Sequence, residues 1–276
     1  MRIYGIDFTS APRRAKPIVC ATCDLSGETL SVVELQTWTN FDSFEQFLAS
    51  PGRWVAAVDL PLGQPLRLVE ALGWPLSWQR YVEHVGRMSK AEFVETIDNY
   101  RSQQPPGDKH HPRATDTLTG ACSPMMLYGV PVGKMFYEGA PRVAASPASV
   151  VPCRPTDDPR TVVEGYPGVV ARRLVGRQPY KNDKRPDPQH ELTRKQILRE
   201  CEGGGVLAEY GVRLRVPGPI REDLIADTTG DRLDAVFCGV QAAWWHSTGR
   251  RTPPDGIASA TEGVIADPLC WYSKPN

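Results

Sequence analysis

Short apolar runs separated by turn residues open the chain. Residues 2–9 and 17–25 read as strands, the second with Ile18, Val19, Ala21 and Cys23 at its apolar positions. Ser26-Gly27-Glu28 marks a turn, and residues 29–38 return as a third strand. Short turns between successive strands predict an antiparallel meander. Asp42 is placed to cap a helix over 43–49 whose Phe44, Phe47 and Leu48 share one face. Residues 53–59 form a continuous apolar run, as expected of a strand covered on both faces.

Beyond Leu60-Pro61-Leu62-Gly63 the period lengthens, and residues 65–72, 77–86 and 90–101 read as helices. A polar, proline-rich stretch over 103–119 and a glycine- and proline-punctuated stretch over 120–147 follow. Together they predict a helical and loop insertion at about residues 64–150, decorating the core of a single domain that spans 1–276. Long irregular segments of this kind are often lids or binding loops. The core pattern resumes with a strand at 160–164 and a helix that Pro167 starts and that runs to about Leu174. An amphipathic helix over 191–202 ends at Gly203-Gly204-Gly205. Asp231 opens the strongest helix, with Leu233, Val236, Phe237, Val240 and Trp244 along one stripe, and residues 262–266 predict a closing strand.

Charge and cysteine usage narrow the picture. Lys plus Arg and Asp plus Glu both number 32, so no global field draws the chain toward nucleic acid. Local basic clusters exist: Arg13, Arg14 and Lys16 beside Asp7, and Arg172, Arg173, Arg177, Lys181, Lys184, Arg185, Arg194 and Lys195 later on. No apolar run approaches the roughly 18 residues that span a bilayer. The opening Arg2-Ile3-Tyr4-Gly5-Ile6 reads as a strand and not as a signal peptide, so a cytoplasmic location without membrane contact is expected. Cys20 and Cys23 are three apart in a strand, which sends them to opposite faces, and no second Cys or His pair matches their spacing. Buried free thiols fit better than a zinc site.

The candidate chemistry lies in acids at the ends of hydrophobic runs: Asp7, Asp59 and Glu164, with Asp231 and Asp234 at the start of the late helix. A carboxylate at the end of a buried strand is costly unless something pairs with it. Asp231 and Asp234 project from one side of their helix, although Asp231 also sits where an N-cap belongs. Asp7 and Asp59 would occupy matching ends of adjacent parallel strands, with Glu164 as the next neighbour. Magnesium takes oxygen ligands in octahedral geometry, and two such ions about 3.5–4 Å apart can stabilise attacking and leaving oxygens in phosphoryl transfer. Without a cation these acids would repel one another and some would hold their protons. Arg113, Asp116 and Lys181 are candidates for phosphate contact, against the alternatives of a surface ion pair and a solvated loop lysine. His110-His111 reads as exposed, and Trp244-Trp245-His246 as core packing or a base-stacking platform.

Several strings carry a family resemblance. They are Gly5-Ile6-Asp7-Phe8, Val58-Asp59-Leu60-Pro61-Leu62-Gly63, Arg113-Ala114-Thr115-Asp116, Val163-Glu164-Gly165-Tyr166-Pro167, Tyr180-Lys181, Asp231-Arg232-Leu233-Asp234-Ala235 and Glu262-Gly263. The chain resembles the RNase H-like superfamily and, more narrowly, the predicted-nuclease family designated domain of unknown function 429. The resemblance implies an α/β fold with a five-stranded mixed sheet, order 3-2-1-4-5, flanked by helices. It implies Asp7, Asp59 or Glu164, and Asp234 as metal ligands. The function expected is a Mg²⁺- or Mn²⁺-dependent nuclease that hydrolyses phosphodiester bonds, with nucleic acid as partner. Asp7, Asp59, Glu164 and Asp234 would be catalytic, and Asp231 a further ligand. Two alternatives stay open. One is an actin-like nucleotide phosphotransferase, with Asp7-Phe8-Thr9-Ser10 as phosphate loop and Gly203-Gly204-Gly205 as adenosine turn; the other is a non-catalytic binding module.

Overall fold

The computed structural model describes residues 1–182, 187–249 and 260–271. Its centre is a mixed sheet of β1 (Arg2–Asp7), β2 (Ile18–Ser26), β3 (Thr29–Trp38), β4 (Trp54–Asp59), β5 (Ser149–Val151), β6 (Arg160–Glu164) and β7 (Arg213–Arg215). The order is β5-β6-β4-β1-β2-β3-β7. β2 runs antiparallel to β1 and β3, while β4, β6 and β5 continue the sheet in parallel from β1. The fold is therefore mixed α/β as expected, but the sheet has seven strands and not five. The additions are the edge strands β5 and β7, each three residues long, too short for an alternating pattern to announce them.

Helices cover both faces, as a sheet apolar on both sides requires. One face carries α1 (Phe41–Ala49), α2 (Leu66–Ala71), α3 (Trp78–Gly86), α4 (Lys90–Ser102) and α6 (Val132–Ala145), whose Phe44, Trp78, Tyr81, Phe93 and Phe136 pack on Ile6, Ala56 and Val58. α5 (Ala114–Thr119) lies within the same insertion. The other face carries α7 (Pro167–Val175), α8 (Pro188–Glu202), α9 (Gly205–Tyr210), α10 (Gly218–Ala226), α11 (Asp231–Thr248) and α12 (Pro268–Trp271), packed on Ile3, Val55 and Ala57. Cys20 belongs to the first core and Cys23 to the second, so the two thiols do point to opposite faces.

Several local expectations are corrected. The first helix begins at Phe41 and is capped by Asn40, whose side chain accepts from the Ser43 N–H at 3.0 Å, so Asp42 is a first-turn residue and not the cap. The stretch 120–147 hides α6, because Gly133, Gly139 and Pro141 are helix breakers in sequence. Packing demands the first glycine, since a Cβ at Gly133 would lie 2.7 Å from the Pro124 carbonyl oxygen; one at Gly139 would lie 2.6 Å from Leu60 Cδ2, the movable end of a side chain. Residues 262–266 form no strand. They touch the sheet through a single bridge between Glu164 and Ile265, since Gly263 at φ +78° turns the chain in and Asp267 N–H closes a turn onto Ile265. Among the described residues no helix is long and apolar enough to cross a membrane.

What places the site is the approach of α11 to β1. A Cβ on Gly5 would lie 1.9 Å from the Ala235 carbonyl oxygen and 2.1 Å from the Gly239 nitrogen, so strand and helix meet backbone to backbone. The reverse contact is relaxed, because a Cβ on Gly239 would find nothing nearer than Cys23 Sγ at 3.5 Å. Gly5→Ala is therefore predicted to cost about 3 kcal/mol or more through overpacking. Gly239→Ala should be neutral or stabilising by up to about 1 kcal/mol, because alanine is the better helix former. Urea unfolding midpoints of the two variants measure the contrast, and equal losses would contradict it.

Candidate functional site

β1 and β4 are parallel and in register, so Asp7 lies directly opposite Asp59 at their C-terminal ends. Residues two apart on a strand share a face, and Gly5 and Ala57, the preceding pair, face α11. α11 starts over the same end of the sheet and brings Asp231 and Asp234 there, 3% and 1% exposed. Its N-cap is Gly230 at φ +71°, packed against the Lys181 side chain, and Asp231 is the first helical residue. Asp231 therefore does not cap the helix as its position in sequence predicts. Its carboxylate accepts instead from Lys16 Nζ at 2.8 Å. A tight turn in which Arg13 and Lys16 exchange backbone hydrogen bonds aims that lysine. Asp234 accepts from the Tyr180 hydroxyl at 2.6 Å and from Lys181 Nζ.

Four aspartates thus gather against two lysines. Asp7 and Asp59 have no hydrogen-bond or ion-pair partner among the described residues. Burial, and then repulsion from Asp231 and Asp234, raise the Asp7 carboxyl well above the usual range. Burial and the Asp234 charge push half-buried Asp59 up to about 8. Burial raises Asp231 too, against the pull of Lys16. For Lys181 burial works toward deprotonation, but Asp234, Tyr180 and Asp7 overcome it and hold the ammonium well above its ordinary value.

Glu164 stands apart from this group. Its register partner on β4 is Val58, one residue before Asp59, and Val58 faces the insertion-side core. Since side chains alternate along a strand, this one-residue offset sends Glu164 to the opposite face from Asp59. There both carboxylate oxygens are engaged: Arg113 Nη2 donates to Oε1 at 2.5 Å, while Arg113 Nη1 and the Leu62 N–H donate to Oε2 at 2.9 Å each. The same guanidinium binds Asp116 through Nε and Nη2 and the Glu262 carbonyl through Nη1. Arg113 and Asp116 are 2% and 1% exposed, so the pair is a buried network and not a surface one. It ties β6, the loop after β4, α5 and residues 262–266 together. His111, expected to be exposed, is likewise buried and held between Tyr100 and Asp108. Trp244 and Trp245 are buried in the core.

A family model described as a protein of unknown function, DUF429, matches residues 5–258. The chain belongs to the DUF429 family. No curated protein and no solved structure matches it significantly. The matched span of this DUF429 chain contains all five acids, Lys16, Arg113 and Lys181.

The basic stretch of the DUF429 protein is largely absorbed by its own fold. Arg173 binds Glu209 and Asp267, Arg194 donates to the carbonyls of Ile225 and Tyr180, and Lys195 pairs with Glu191. Lys184 and Arg185 lie outside the described residues. Gly203 and Gly204 make the turn between α8 and α9, and Gly205, the first residue of α9, packs against Leu174 and Glu200. Tyr180 and Gly5 stand in the strings that carry the resemblance, but sequence reasoning gave neither of them a role. The adjacency of Tyr180 to Lys181 and the glycine two residues before Asp7 were the available signals.

Among the described residues no group of three or more His, Cys, Asp and Glu side chains is arranged to hold a metal ion. Asp7 and Asp59 nevertheless fit a hard cation, being adjacent oxygen donors without partners. Magnesium is commonly bound by one or two carboxylates, with waters and substrate oxygens completing its shell.

Two predictions follow from these charges. Folded Asp59 keeps its proton to about 8 where the unfolded carboxyl loses it near 3.8. Between those values the folded state binds more protons, so stability falls as pH rises. Asp59→Asn should melt higher than the wild type at the alkaline end of this window, with the gap closing toward the acid end; a gap independent of pH would refute the assignment. Arg113→Met strands Glu164 and Asp116 and should cost about 3–5 kcal/mol in chemical denaturation. Arg2→Met, which breaks only the exposed pair with Asp24, should cost at most about 1 kcal/mol.

Proposed function

We propose that this DUF429 protein is a divalent-metal-dependent phosphodiester hydrolase, a nuclease of RNase H-like architecture, acting where β1, β4 and α11 converge. The observation that carries the reading is the Asp7–Asp59 pair: two carboxylates side by side, one buried and one half-buried, without a partner among the described residues. Such an arrangement is unfavourable without a positive charge between them. The strand order β3-β2-β1-β4-β6 inside the wider sheet supports the architecture. The actin-like alternative draws less support, because the glycines it needs form the junction between α8 and α9.

In this reading Asp7 and Asp59 hold a single Mg²⁺ or Mn²⁺. Such an ion supplies Lewis-acid polarisation of the phosphoryl group and lowers the pKa of bound water. The protein's own groups do the rest. Asp59, whose carboxyl is held protonated up to about 8 by burial and Asp234, would give up that proton beside a bound cation. Lys181, protonated and 38% exposed at its side chain, is placed to neutralise a phosphate oxygen when it leaves Asp234. Asp234, held by Tyr180, then serves as a proton acceptor beside the scissile bond. Lys16 keeps Asp231 neutralised, which limits the negative charge facing an anionic substrate. Glu164, bound by Arg113, positions the loop after β4 and takes no part in ion binding.

Hydrolysis of bis(p-nitrophenyl) phosphate and of single-stranded DNA and RNA with Mn²⁺ tests this. Asp7→Asn and Asp59→Asn are expected to lower kcat/KM by roughly a hundredfold or more, the loss of a few kcal/mol of transition-state stabilisation. Mn²⁺ should raise the melting temperature of the wild type and not of either variant, because a ligand specific to the folded state stabilises it. A wild type indifferent to Mn²⁺, or an active Asp7→Asn variant, overturns the reading.

A further inference from the structure

A groove of about 430 Å³ runs along α7. Gly168, Ala171 and Arg172 of α7 form one wall, and the returning segment Gly176, Arg177, Gln178 and Tyr180 forms the other, with Gly120 at the rim. Its volume lies within the roughly 300–1,000 Å³ of small-ligand sites. Tyr180 links the groove to the aspartate cluster: it lines the groove, and its hydroxyl donates to Asp234 at 2.6 Å.

Its charge is one-sided. Among the described residues no acid lines the groove, and two arginines do. Arg172 is held in place, stacked over the Tyr166 ring with its centre 5.2 Å from the centroid, donating to the Tyr166 hydroxyl at 3.2 Å and to the Thr119 carbonyl. Arg177 is exposed and has no hydrogen-bond or ion-pair partner among the described residues. It differs in this from Arg172, Arg173 and Arg194 in the same basic stretch. Three of the lining positions are glycines, and at Gly176 a Cβ would meet nothing within 4 Å, so a ligand can approach the backbone.

We propose that this groove is a second phosphate subsite, which holds another phosphate of the chain whose scissile phosphate lies at Asp7 and Asp59. Arginine's planar fork suits phosphate oxygens, and a cationic groove that shares Tyr180 with an acidic centre matches a substrate with several phosphates along a chain. The substrate class is then a single-stranded polynucleotide, whose backbone can bend from one site into the next, and not an isolated phosphomonoester. The proposal rests on the hydrolase reading for the identity of the first site, but its test is a binding measurement.

Fluorescence anisotropy of a short labelled single-stranded DNA, titrated with the full-length protein in EDTA, provides that test. Arg177→Glu is expected to weaken binding about tenfold and to reduce the slope of log K against log salt by about one, the signature of one lost phosphate contact. Arg215→Glu, the same charge reversal on the exposed edge strand β7, should change affinity less than about twofold. Equal losses from both reversals, undiminished affinity in Arg177→Glu, or no binding by the wild type would each overturn the subsite. Selective loss at Arg177 in a protein that cleaves nothing with Mn²⁺ would uphold the subsite and remove the hydrolase reading instead.

Discussion

The contact on which the site depends is the backbone approach of α11 to β1 at Gly5. Only a residue without a Cβ lets the Ala235 carbonyl and the Gly239 nitrogen come so near the strand. That approach fixes the height of α11 over the sheet and so brings its first turn to the C-terminal end of β1. Asp231 and Asp234 arrive beside Asp7 and Asp59 for this reason, although more than 170 residues separate Asp59 from Asp231 along the chain. The electrostatic cost of that meeting is met by apolar packing, since α11 is buried along nearly its whole length.

The sheet then divides the charges into two groups with different roles. On the α11 face four aspartates confront two lysines, and Asp7 and Asp59 have no partner among the described residues. On the insertion face Glu164, Asp116 and Arg113 satisfy one another and the surrounding backbone. The first group is under mutual repulsion; in the second the carboxylates are paired. Removing Arg113 would leave two stranded carboxylates, so the insertion is anchored to the core by a network whose members depend on each other. The two groups meet through the loop after β4, which begins at Asp59 and is fixed at Leu62 by Glu164.

Much of the site was legible because a hydrophobic run that stops at an acid leaves a recognisable mark. Asp7 and Asp59 end such runs, and the three-residue spacing of Asp231 and Asp234 identified one side of a helix. Glu164 bears the same mark, and its separation from the others arises from a one-residue offset in strand pairing, which no local pattern records. The pairing of Lys16 with Asp231 across the fold was equally invisible, as was the role of Tyr180. In the insertion, α6 was hidden by Gly133, Gly139 and Pro141, residues that disfavour a helix in isolation; at Gly133 the nearby Pro124 carbonyl leaves no room for a Cβ. The edge strands β5 and β7 were too short to show periodicity.

The arrangement leads to one expectation about Asp7 and Asp59: they form a cation site in the folded protein. Anomalous diffraction from crystals grown with Mn²⁺ tests it most directly. A peak in contact with both carboxylates, with Lys181 drawn away from Asp234, is the predicted result. No peak at that position under saturating Mn²⁺, with Lys181 still bound to Asp234, would contradict it.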